Sequence, residues 1–117
     1  MINSMFKMWS LFALYLTVGS AWNVVRLRVG ANTDQRFFTG LYVGDQNVSW
    51  SPTPGRGAET VHEWGADACG GRLILFIGTE PTQADSYQIP GDCEGKEYRF
   101  KVEESGGSLR LILRSIR

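Results

Sequence analysis

Histidine and cysteine are the scarce residues of this chain. Its 117 residues include one histidine, His62, and two cysteines, Cys69 and Cys93. A lone histidine excludes histidine-based metal centres, and two distant cysteines match no zinc spacing. No Gly-x-Ser-x-Gly run is present to set a nucleophile beside His62, so the residue reads as an ordinary strand histidine, not a general base. Nor is there an Asp-x-Asp-x-Asp-Gly run. Asp34, Asp45, Asp67, Asp85 and Asp92 are scattered among turn residues and read as turn formers, with no metal and no cofactor expected. Charge of one sign is also missing. Twelve basic and twelve acidic side chains cancel, and Arg110, Arg114 and Arg117 follow Glu97, Glu103 and Glu104 without an aromatic-interleaved basic stripe, which argues against nucleic-acid binding. Repeats, low-complexity tracts and amphipathic helical windows are absent.

The one long apolar run lies at the start. Residues 1–21 read MINSMFKMWSLFALYLTVGSA, with Lys7 as the only charge, an apolar stretch over 8–18, and then Gly19, Ser20 and Ala21. That order of charged, apolar and small residues is that of a secretory signal segment cleaved near Ala21. The apolar run is shorter than the roughly 20 residues a membrane span needs; an uncleaved anchor is the alternative. Residues 22–117 then form a single domain, destined for secretion and an oxidising compartment in which Cys69 and Cys93 pair.

In that domain apolar residues recur every second position, and Gly, Pro, Asp and Asn separate the runs. Val25, Leu27 and Val29 alternate with Arg26 and Arg28; Tyr98, Phe100 and Val102 alternate with Arg99 and Lys101. Ser105-Gly106-Gly107-Ser108 supplies a tight reversal into Leu109, Leu111 and Leu113. Further strands are read at about 36–43, 47–51, 58–64, 72–78 and 86–89, with Gly44-Asp45-Gln46 as a hairpin loop. The expected fold is an all-β sandwich, or partly open barrel, of some seven or eight antiparallel strands.

Two of these strands break the alternation. In 36–43, Phe37, Leu41 and Val43 lie opposite Phe38 and Tyr42, and in 72–78, Leu73, Leu75 and Ile77 lie opposite Ile74 and Phe76. Strands apolar on both sides need cover on both sides, so Phe38, Tyr42, Ile74 and Phe76 are the candidate binding patch, for a partner protein or a second copy in a homodimer. A carbohydrate site built from Trp22, His62 and Trp64 is the alternative, since sugar faces stack on exposed rings. Asn47-Val48-Ser49 is a sequon for N-glycosylation. If Asn47 faces water, Val48 and Trp50 are expected to face the core.

In format, with a signal segment, about a hundred residues, one disulfide and a β pattern, the chain resembles the small secreted effectors and toxins of plant-associated fungi. It has only two cysteines, and neither follows the signal segment directly as in some of those groups. The resemblance implies a protein without enzymatic activity that acts by surface contact with a host or partner protein. A carbohydrate-binding module or small lectin acting on a polysaccharide is the other reading.

Overall fold

The computed structural model describes residues 23–117. The signal segment expected over residues 1–21, and Trp22, lie outside the described residues. Eight strands follow one another: β1 (Val24–Ala31), β2 (Phe38–Val43), β3 (Gln46–Pro52), β4 (Glu59–Gly65), β5 (Arg72–Ile77), β6 (Thr82–Gln88), β7 (Glu97–Ser105) and β8 (Ser108–Ile116). A single 3-10 turn, Ala66–Ala68, separates β4 from β5. The strands form two four-stranded sheets, β4-β1-β7-β8 and β3-β2-β5-β6, packed face to face as the alternation predicts.

The hairpins sit where the turn residues place them. Gly106 and Gly107 both adopt positive φ, 61° and 85°, in the two-residue loop between β7 and β8. One pairing differs from expectation: β1 and β7 run parallel, with Val29 opposite Phe100, while every other pair is antiparallel. Alternation encodes which face a side chain takes and carries no information about strand direction. Strand β6 also starts earlier than expected, at Thr82. Its first residues are polar because an edge strand needs few apolar contacts, so they read as loop.

The core lies between the inner faces. Val25, Leu27 and Val29 of β1 and Tyr98, Phe100 and Val102 of β7 meet Leu41 of β2 and Leu73 and Leu75 of β5, all at 2% exposure or less. Each such side chain contributes roughly 1.5–3 kcal/mol, largely offset by lost chain entropy. The opposite face of β4-β1-β7-β8 is charged, with Arg26 on Glu63 at 2.6 Å and Arg28 on Glu97 at 3.2 Å. A one-residue slip would bury these cations, so the register of this sheet is firmly set.

Two chain crossings between the sheets, β4 to β5 and β6 to β7, meet at one end of the sandwich. The Cys69–Cys93 disulfide joins them, with Cα atoms 5.4 Å apart. Main-chain bonds run beside it, from Gly70 N to Ile89 O at 3.0 Å and from Ile89 N to Gly71 O at 2.9 Å. Gly71 admits no side chain, because a Cβ there would lie 2.2 Å from the Tyr42 carbonyl oxygen and 2.9 Å from that of Ala68.

Two outcomes follow for this end of the molecule. Reduction of the disulfide is expected to lower unfolding free energy by about 3.5 kcal/mol in the chain-entropy picture, read from urea midpoints with and without reductant. Gly71→Ala is expected to cost roughly 3 kcal/mol or more, because the clash is with main chain that cannot swing away. Gly91→Ala, where a Cβ meets nothing within 4 Å, is the matched control and should stay within about 0.5 kcal/mol of the parent.

Candidate binding face

The outer face of β3-β2-β5-β6 takes its form from one extra residue. Strand β3 pairs Ser49 with Leu41 but Asn47 with Tyr42, so Val48 is inserted as a β-bulge. After the insertion the parity changes. Val48 packs against the core as expected, Ser49 also points inward, and Trp50 turns outward opposite Gly40, 45% exposed. The expectation that Trp50 joins Val48 in the core is corrected here, for strict alternation cannot foresee a bulge.

Asn47 fixes the insertion. Its Nδ2 donates to the carbonyls of Leu41 at 3.2 Å and Ser49 at 2.9 Å, one on each side of the bulge. The side chain lies at the edge of the aromatic face, and the nitrogen to which a glycan would be joined has both its hydrogens committed to main chain.

The candidate residues Phe38, Tyr42 and Phe76 are brought together as predicted, with Trp50 as the member the alternation misses. Trp50 stacks on Phe38 at 5.6 Å between ring centroids and 18° between planes, and meets Phe76 at 5.4 Å; Tyr42 lies 6.2 Å from Phe76. Ile74 is not part of the accessible surface. It is only 4% exposed on this outer face, beneath the rings, and serves as the floor of the cluster. Gly40 makes the close approach possible: a Cβ there would stand 2.8 Å from Tyr42 Cε1 and 3.1 Å from Trp50 Cε3.

Strand pairing arranges the face in three rows. Asn47, Tyr42, Arg72 and Gln88 form the first, Trp50, Gly40, Ile74 and Ser86 the second, and Pro52, Phe38, Phe76 and Gln83 the third. Arg72 is the only charge among them.

Of the alternative sugar site, Trp22 lies outside the described residues, and the other two members do not form an exposed platform. His62 and Trp64 face inward from β4, opposite Leu27 and Val25, and Trp64 packs against the core. His62 is 1% exposed and bridges the two sheets: Nε2 is 2.8 Å from Thr39 Oγ1 and Nδ1 is 2.7 Å from Ser49 Oγ. Burial holds its pKa down to about 4, so the ring is neutral at pH 7. Ser49 beside His62 has the spacing of a nucleophile and base, but the ring's other nitrogen meets a hydroxyl instead of a carboxylate. Among the described residues no cluster of three or more His, Cys, Asp or Glu side chains could hold a metal ion. Among them, too, no helix is long and apolar enough to cross a membrane.

No family model matches the chain, and no curated protein does. Among solved structures the fold is similar to that of the SPH (Self-Incompatibility Protein Homologue) proteins, described as a widespread family of small, highly stable, secreted proteins from plants. The TM-score is 0.55 at 10% sequence identity, over 80% of this chain and 87% of that one. A likeness at that identity establishes the fold, a two-sheet β-sandwich.

The buried His62 makes stability depend on acidity. As pH falls, the unfolded chain takes up a proton near 6.5 and the folded chain only near about 4, so the unfolded state binds more protons in between. Stability is therefore full above about 6.5 and falls through that window, by about 3 kcal/mol in total. Urea titrations at stepped pH should show this loss, and His62→Gln, which titrates nothing, should lack most of it.

Proposed function

We propose that this chain is a small secreted binding protein that recognises a partner protein through the outer face of β3-β2-β5-β6 and performs no chemistry of its own. The observation that carries this reading is the composition of that face. Its rows hold Trp50, Tyr42, Phe38, Phe76 and Arg72, and no Lys, Asp or Glu. Centres of protein interfaces are enriched in those aromatic residues and arginine and depleted of those other charges. The opposite sheet face, covered by ion pairs such as Arg26–Glu63 and Arg114–Glu103, has the composition of ordinary solvated surface. Secretion is supported by the leader-like order of residues 1–21, by the disulfide, and by a fold shared with proteins described as secreted and highly stable. Burial of the single histidine supports an effector-like mode of action over an enzymatic one.

The test compares the parent protein with Trp50→Ser. The substitution removes two ring contacts and is expected to cost about 1–2 kcal/mol while leaving the domain folded. Immobilised parent protein should capture a protein from host or producing tissue extract at least roughly ten-fold better than the variant does, and neither should be retained on chitin or cellulose. Retention on a polysaccharide that the variant loses would make the face a carbohydrate-binding one. Equal capture by both proteins would remove this face from recognition altogether.

A further inference from the structure

We infer that the partner meets this face with an extended acidic segment, presenting a carboxylate to Arg72 and, two residues away on the same side, an apolar side chain to the aromatic cluster. This rests on the reading of the face as a docking surface. Arg72 sits between Tyr42 and Gln88 in its row, partly buried, and among the described residues it has no ion pair. Residues 1–22 contain neither aspartate nor glutamate, so no carboxylate side chain from that part of the chain can complete it. On the opposite face Arg26, Arg28, Arg99 and Arg114 each hold a glutamate. A half-buried arginine with Tyr42 as its row neighbour, and with five donors in a fixed fork, is suited to bidentate capture of a carboxylate.

Spacing defines the rest of the ligand. Arg72, Ile74 and Phe76 succeed one another at two-residue steps along β5, so adjacent rows lie about 6.6–7 Å apart. An extended peptide places residues i and i+2 on one side at the same interval. A carboxylate on Arg72 therefore sets the residue two positions along over the row that holds Ile74 and Trp50. Trp50, the most open ring, offers its exposed area there.

The experiment pans the secreted protein against phage-displayed random linear peptides and measures the selected peptides as free ligands. Enrichment of Asp or Glu two positions from an aromatic or aliphatic residue is expected, with binding that weakens as salt rises. Arg72→Gln should lose at least roughly ten-fold in affinity with an unchanged thermal midpoint, and Arg72→Glu should select Lys or Arg in place of the acid. Peptides lost by Trp50→Ser but bound normally by Arg72→Gln would overturn the acidic ligand and leave the docking face standing. Peptides bound equally by both variants would overturn both. Failure to select any acidic peptide would overturn the inference, as would retention on polygalacturonate that both variants lose, which would make the ligand an acidic polysaccharide.

Discussion

The amide of Asn47 holds open the one irregularity from which both faces of its sheet take their character. By bonding the carbonyls of Leu41 and Ser49 it secures the extra residue in β3. Without the bulge the pairing of Tyr42 with Asn47 would continue as Leu41 with Val48 and Thr39 with Trp50, and the indole would point between the sheets. Ser49 would point outward, away from His62. A single inserted residue thus supplies the inter-sheet hydrogen bond at one edge of the sandwich and the exposed ring at the centre of the candidate face.

The two long edges of the sandwich are closed by different means. On the β3–β4 side His62 spans the gap with a hydroxyl partner on each nitrogen. On the β6–β8 side Asp85 points from β6 to the edge of β8, where its carboxylate accepts from the Leu111 main-chain N–H at 2.8 Å and from Arg110 Nε at 3.2 Å. That contact occupies a main-chain donor that an edge strand would otherwise offer to another chain. Three of the four edge strands, β3, β6 and β8, also carry the extra residue of a bulge, at Val48, Ala84 and Arg114. The blunted edges leave the aromatic face open, with Trp50 45% exposed at its centre.

Much of this was legible in the sequence. The alternation of Tyr98, Phe100 and Val102 with charged neighbours gave the faces of β7 correctly, and the glycine pair at 106 and 107 located its hairpin. The two-faced apolar character of β2 and β5 is enough to group Phe38, Tyr42 and Phe76 in one patch. Three features were hidden for one reason, that they depend on pairing and not on pattern. The parallel β1–β7 seam, the outward turn of Trp50 and the burial of His62 all follow from which strand lies beside which. Ile74 stands on the face the alternation assigns to it but is only 4% exposed, and a one-dimensional pattern records no lateral cover.

The parallel seam has a consequence for how the molecule comes into being. Val29 finds its partner in Phe100, near the other end of the chain, while β2, β3, β5 and β6 all fall within residues 38–88, interrupted only by β4. As the chain emerges from its N-terminus, the β3-β2-β5-β6 sheet can assemble well before β7 is available, and its inner face then has no complete lid. The second cysteine, Cys93, arrives just ahead of β7. Bond formation at that moment tethers the late strands to the sheet they must cover, so the order in which the chain appears sets the period during which Leu41, Leu73 and Leu75 stand open to water.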